Sequence, residues 1–241
     1  MSSSRIEFFS GVKAELPILL GVIPFGMIYG ALAVGAGLEK QAAQAMSAVV
    51  FAGSAQFVAA QLFGAGAPGL VIVLTGGVIN LRHLLYSASL APYLKHLSPH
   101  WKWLLAYLLT DEAYAVSIVH YLSSDMDIGE GEKYLGNPRR FHIKHWFFLG
   151  AGLALWATWQ ASTAAGIFLG AAIPASWSID FTLALTFIAL LLPTLKNRAG
   201  LAAATSAGFV AVLAAGLPYK LGLLTAALVG IGVGLLIEAR S

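Results

Sequence analysis

Ionisable side chains inside long apolar stretches are the residues of this sequence whose types could do chemistry. Arg82 and His83 interrupt one such stretch, and Asp111 and Glu112 interrupt the next. A charged side chain at the centre of a membrane costs about 2.5–3.5 kcal/mol on insertion scales. A cation and acids at that depth can form an ion pair, bind a polar solute or carry protons.

The two charged groups are predicted to lie at the same depth. Arg82 lies twelve residues before Leu94, and Asp111 lies twelve residues after Pro99, which places each about 18 Å of helix from the connecting loop. Because helices joined by a short loop are neighbours, we expect an ion pair between Arg82 and Asp111 or Glu112. The other carboxylate then lacks a basic partner unless His83 is protonated, which favours a proton-linked role for His83, Asp111 and Glu112. A purely structural ion pair is the alternative.

Polar side chains in the same and the preceding stretch are candidate contacts for a bound solute. Together with Arg82, they are Ser54, Gln56, Asn80 and Tyr86. Gln56 on its own favours an interhelical hydrogen bond, but beside an intramembrane ion pair it becomes a candidate substrate contact.

Pro24 and Gly26 lie in the middle of the first apolar stretch. A proline inside a helix removes one backbone hydrogen bond and kinks the helix, and glycine permits unwinding. The pair therefore predicts either a helix break, of the kind with which transporters bind substrates, or a simple kink.

The composition places these residues in a membrane protein. Of 241 residues, 59% are hydrophobic and only 10% are charged, whereas soluble domains are about 25% charged. The net charge of +3 lies in short loops, so it predicts topology and not nucleic-acid binding. We find no cysteine, metal-ligand set, phosphate loop or nucleotide motif, and expect no cofactor, no metal and no use of ATP by this chain.

The fold class predicted is all-α, a single polytopic transmembrane domain over residues 1–241. About eight spans are expected, with seven as the alternative, and broken helices and inverted repeats remain open. The predicted spans are 16–38, 41–66, 69–94, 103–122, 146–171, 177–195, 199–217 and 219–237.

Lysine and arginine positions predict the orientation of these spans. With alternate crossing, nine basic residues fall on the side of the N-terminus and four on the other, which predicts a cytoplasmic N-terminus. The inner set is Arg5, Lys13, Lys133, Arg139, Arg140, Lys144, Lys196, Arg198 and Arg240, and the outer set is Lys40, Lys95, Lys102 and Lys220.

Five motifs resemble the AzlC family of branched-chain amino acid exporters. They are PFG at 24–26, FAGSAQF at 51–57, NLRHLLYS at 80–87, TDEAYA at 110–115 and LPYKLG at 217–222. The similarity covers residues 10–237, and the order of the motifs is specific.

The resemblance implies a permease of the bacterial inner membrane that exports valine, leucine and isoleucine, with methionine as a further candidate. It also implies a small partner membrane subunit of the AzlD type. From the residues alone, two other classes remain open: an intramembrane enzyme, which the mid-depth position of the charges disfavours, and a structural or regulatory subunit without a pathway of its own.

Overall fold

A computed structural model describes residues 3–126, 143–169, 195, 197–218 and 221–239. In these residues all regular structure is helical, which confirms the all-α prediction. The helices are α1 (Ser3–Gly35), α2 (Lys40–Val49), α3 (Gly53–Gly64), α4 (Gly69–Asn80), α5 (Arg82–Leu94), α6 (Pro99–Tyr107), α7 (Asp111–Met126), α8 (Lys144–Leu169), α9 (Arg198–Leu213) and α10 (Leu221–Glu238).

The two longest helices, α1 and α8, form the central scaffold. Gly11 lies against the backbone of Phe147, and Gly30 lies against the backbone of Thr163. A Cβ at either glycine would overlap that backbone, so small residues let the two helices approach closely. Because residue numbers rise together along both helices, α1 and α8 are parallel.

Helices α2 and α3 form a hairpin that enters the bundle and returns to the same end. The Lys40 ammonium, at the start of α2, lies 5.5 Å from the ring of Phe168 near the end of α8. The first residue of α3 contacts the Trp159 ring, about 13 Å back along α8. At the end of α3, Gly64 lies against Ala36, just beyond α1. The prediction that residues 41–66 cross the membrane is therefore wrong.

Helices α4 and α5 together cross the bundle. They are separated by a break at Leu81 and bent by 40°. Near the end of α5, Tyr93 contacts Tyr121 and lies 4.8 Å from the Lys144 ammonium, where α8 begins. The predicted span over 69–94 is thus a single crossing made of two half-helices.

Helices α6 and α7 form a second hairpin, which enters from the opposite end to the first. The ring of Trp101 lies 5.2 Å from that of Trp146, and Tyr121 donates a hydrogen bond of 2.9 Å to the carbonyl of the first residue of α8. Between them, the Tyr107 hydroxyl accepts a hydrogen bond of 2.7 Å from Trp156 Nε1, further along α8. Both ends of the hairpin therefore lie where α8 begins, and the predicted crossing at 103–122 is also wrong.

Helices α1 to α7 form two units of the same kind that run in opposite directions. A crossing helix, α1, is followed by a hairpin at the end where it emerges; the α4–α5 crossing is followed by the α6–α7 hairpin in the same way but in the opposite direction. Most of the predicted span at 177–195 lies outside the described residues. The last two predicted spans correspond to α9 and α10, which pack antiparallel through Gly222 and Ala214 at one end and Gly234 and Ala203 near the other.

The predicted helix break at Pro24 and Gly26 is not present, because α1 is continuous from Ser3 to Gly35. Pro24 lies on the exposed face of α1, while Gly26 is buried against Ser162 of α8. The close packing on α8 holds α1 together across the proline. The helices break instead at 50–52, at Leu81 and at 108–110.

Large apolar side chains cover the outside of the bundle, as expected for contact with lipid. Leu20, Val73 and Val212 are each at least 70% exposed. Among the described helices, α1 and α10 are each long and apolar enough to cross a membrane, and α4 with α5 would form a third span.

Among the residues that the structure describes, several basic side chains lie at the end of the bundle where α1 begins. Arg5, Lys95, Lys102 and Lys144 lie at this end, and Lys40 lies at the other. Because α2–α3 and α6–α7 are hairpins, Lys95 and Lys102 belong with the N-terminus, not with the outer set predicted from eight crossings.

Cysteine labelling distinguishes the two hairpins from crossing helices. The natural chain has no cysteine, so Ser4→Cys, Ala65→Cys and Ser98→Cys can be introduced singly. We expect a membrane-impermeant thiol reagent to label Ser4→Cys and Ser98→Cys from one side and Ala65→Cys from the other. Labelling of Ser4→Cys and Ala65→Cys from the same side would contradict the hairpin arrangement.

Candidate functional site at three helix breaks

The three helix breaks meet at a cavity of about 520 Å³ that is also lined by α1 and α8. One wall is polar and comes from the starts of α3, α5 and α7. It consists of Ser54, Arg82, His83, Tyr86, Thr110, Asp111 and Glu112. The facing wall is apolar and contains Ile18, Val22, Phe25, Phe51, Leu155 and Trp159.

Arg82 connects the three half-helices. Its Nη1 lies 2.8 Å from Asp111 Oδ2, and its Nη2 donates a hydrogen bond of 2.6 Å to Ser54 Oγ. The predicted Arg82–Asp111 ion pair is confirmed. The side chains of Arg82 and Asp111 are 33% and 39% exposed, which leaves both groups accessible to a solute in the cavity.

The helix starts add electrostatic character to the polar wall. The first backbone N–H groups of any helix have no intrahelical acceptor. At the start of α3, the preceding residue Ala52 has no side chain that could accept from them. By contrast, Thr110 Oγ1 accepts a hydrogen bond of 3.3 Å from the Ala113 N–H at the start of α7. Asp111 and Glu112 occupy the first turn of α7, where the helix dipole favours negative charge. The start of α3 therefore attracts anions, and that of α7 presents acids.

Six of the predicted site residues lie together in the polar wall: Ser54, Arg82, His83, Tyr86, Asp111 and Glu112. Tyr86 is held by stacking on Tyr114, with ring centroids 4.4 Å apart. The Tyr114 hydroxyl in turn donates to Ser89 Oγ at 3.1 Å.

Gln56 and Asn80 do not line the cavity. Gln56 follows Ser54 by two residues, so its side chain leaves the opposite face of α3, where it is fully buried. Asn80 is the last residue of α4, and its backbone carbonyl oxygen lies 3.1 Å from His83 Nδ1. Asn80 thus contributes to the position of the histidine, and direct contact of Gln56 and Asn80 with a solute stays a prediction.

The apolar wall was not identified from the sequence. Ile18, Val22 and Phe25 lie on one face of α1, and Leu155 and Trp159 lie on one face of α8. Their spacings of three and four residues are helical, but both helices are apolar on most faces, so the pattern alone could not single them out.

Glu15 is a further residue that was not identified from the sequence. The first span was predicted to begin at Leu16, but α1 begins at Ser3 and includes Glu15, which is 0% exposed.

The cavity combines the features that a small zwitterion with an apolar side chain requires. Arg82 and the start of α3 can bind a carboxylate, and Asp111 and Glu112 can bind an ammonium group. The apolar wall can accept an aliphatic side chain, and a volume of about 520 Å³ is typical of small-molecule sites. Among the described residues, no group of three or more His, Cys, Asp or Glu side chains could hold a metal ion.

Comparison with known proteins shows the family to which this chain belongs. Residues 17–173 match the AzlC protein family, and the chain belongs to that family of membrane proteins. No solved structure matches the chain significantly.

Three relatives illustrate the match. The chain is 26% identical over 204 residues to the branched-chain amino acid transport protein AzlC of Bacillus subtilis, covering 83% of this chain and 73% of that protein. It is 30% identical over 214 residues to an uncharacterised membrane protein of Archaeoglobus fulgidus, covering 87% and 85%. It is 27% identical over 200 residues to the inner membrane protein YgaZ of Escherichia coli, covering 80% and 76%.

The ion pair yields a prediction for stability. Arg82→Gln or Asp111→Asn alone leaves one charge without its partner, whereas the double variant removes both charges. We expect the double variant to be less destabilised than the sum of the single variants, by a coupling energy of about 1–3 kcal/mol. Unfolding by SDS titration in detergent micelles measures it. Strict additivity of the two single effects would show that the pair does not hold the half-helices together.

Proposed function

We propose that the chain is a secondary transporter that exports branched-chain amino acids across the bacterial inner membrane, without chemically converting them. The substrates are valine, leucine and isoleucine, with methionine as a further candidate. The observation that carries the proposal is the cavity at the helix breaks, where a cation and two acids face an apolar wall. The name of the Bacillus subtilis relative, a branched-chain amino acid transport protein, agrees with this substrate class.

In the proposed complex, the substrate carboxylate binds at the start of α3 and Arg82, with Ser54 as a further donor. The ammonium group binds at Asp111 and Glu112. The aliphatic side chain of the substrate lies against Val22, Leu155 and other residues of the apolar wall. Each methylene group contributes only about 1–3 kcal/mol of discrimination, so a group of similar amino acids is expected instead of one substrate.

Transport is proposed to be linked to protons. Asp111, Glu112 and His83 line the cavity beside Arg82, so a change of protonation there alters the charge that a zwitterion meets. The opposed hairpins supply two separate elements that can open the cavity toward either end. This arrangement suits alternating access, in which one element opens while the other stays closed.

The orientation and the partner belong to the same proposal. The basic side chains at the end where α1 begins support a cytoplasmic N-terminus. The resemblance to two-component exporters supports a small AzlD-type membrane subunit as the partner, and transport should be measured with and without it.

Counterflow of labelled leucine in proteoliposomes tests the proposal. Val22→Phe fills the apolar wall of the cavity, and we expect it to lower leucine counterflow about tenfold relative to valine counterflow, in line with the cost of one methylene. Ile23→Phe changes the neighbouring residue, which is exposed on the outer face of α1, and is the matched control that should behave as the natural chain.

Two results would contradict the proposal. One is the absence of leucine counterflow in the natural chain, with and without the partner. The other is flux that is unaffected by Arg82→Gln combined with Asp111→Asn, because the proposed binding of the carboxylate and the ammonium group depends on these two residues.

A further inference from the structure

Glu15 is a buried acid that the proposed substrate site does not use. It is 0% exposed, and within the part of the chain that the structure describes, neither of its carboxylate oxygens has a hydrogen-bond partner. Leaving an ionised carboxylate buried without a partner costs several kcal/mol. Binding one proton removes the charge, so the position suits a group that gains and loses protons.

The position of Glu15 is fixed by the seam between α1 and α7. Near the start of α1, Glu7 Oε2 lies 3.1 Å from His120 Nε2 of α7. The two helices run antiparallel, so eight residues onward along α1 and eight residues back along α7 bring Glu15 opposite Glu112. The two acids interact electrostatically, in agreement with this register. Glu112 in turn lines the cavity.

One further buried polar side chain lies on α7 between these two positions. Ser117 of α7 is 0% exposed, and its hydroxyl has no hydrogen-bond partner in the described residues. It lies one helical turn from His120 and five residues from Glu112. Eight residues of helix, about 12 Å, separate the level of Glu7 and His120 from that of Glu15 and Glu112. Along α7, Ser117 lies between these two levels.

Other ionisable groups lie near this part of the bundle. Lys13 of α1 is exposed. On α8, the Lys144 ammonium lies over the rings of Tyr93 and Tyr121, and the His145 ring lies against Trp101. The register of α1 and α7 brings together Glu7 with His120 and Glu15 with Glu112.

We propose that the α1–α7 seam carries protons between the cavity and the end of the bundle where α1 begins, with Glu15 as its internal proton acceptor. A proton that enters the cavity passes to Glu112, then to Glu15, whose carboxylate becomes the neutral acid. It leaves by way of the Ser117 hydroxyl and the His120–Glu7 pair into water. Each transfer moves one proton and forms no other bond. The inference rests on the proposed transport function and gives it a direction, because a proton moving inward can drive a substrate outward.

Glu15→Gln tests this inference, because glutamine keeps the shape of the side chain and cannot take up a proton. In proteoliposomes, we expect leucine counterflow, which needs no net proton movement, to stay within about twofold of the natural chain. Net leucine flux driven by a pH gradient should fall at least tenfold. Glu39→Gln, at an exposed position before α2, is the matched control and should leave both rates unchanged.

The outcomes separate the inference from the proposed function. Absence of counterflow in the natural chain would contradict transport itself. Counterflow in the natural chain together with full pH-driven flux in Glu15→Gln would overturn the proton seam and leave transport intact.

Ser117→Ala provides a second test that does not depend on the folding of Glu15→Gln. We expect it to slow pH-driven flux several-fold while counterflow is preserved. If pH-driven flux and counterflow fall together, or neither changes, the seam has no part in proton movement.

Discussion

The contact of the Arg82 guanidinium with Asp111 and Ser54 is the interaction on which the rest of the structure depends. It lies where three helices start, inside a bundle whose exterior is apolar. Each start leaves backbone N–H groups without helical acceptors, a condition tolerated at membrane depth only beside protein or a water-filled cavity. A fixed cation and an acid at this point supply the polar surroundings that the broken helices require.

The inverted order of the helices explains why the breaks converge. Two hairpins enter from opposite ends, and their tips meet beside the bend between α4 and α5. The Tyr107 hydroxyl at the second tip donates a hydrogen bond to the Ala48 carbonyl near the first, and Phe51 contacts the Tyr107 ring. The tightly packed α1–α8 pair supplies the apolar wall opposite. A cavity with one charged and one apolar wall follows directly from this arrangement.

The sequence predicted the ion pair but not the path of the chain around it. Arg82 and Asp111 could be paired because residue counts fix depth along a helix. Whether residues 41–66 and 103–122 cross or turn back could not be read, because a hairpin of two half-helices and one long helix have the same apolar composition. Glu15 was missed because α1 begins earlier than hydropathy suggested. Gln56 was placed in the site as a polar residue near the ion pair, since its orientation depends on where α3 starts and this start was not known.

The most direct test of the account is whether the meeting point of the three helix breaks is a water-filled substrate site. Ala115→Cys places a thiol in the cavity wall. Leu20→Cys places a thiol outside the cavity, on the outer face of α1, where Leu20 is 75% exposed. A membrane-impermeant thiol reagent should label Ala115→Cys but not Leu20→Cys, and leucine should protect Ala115→Cys from labelling. Failure to label Ala115→Cys from either side of the membrane, or labelling that leucine does not slow, would contradict the account.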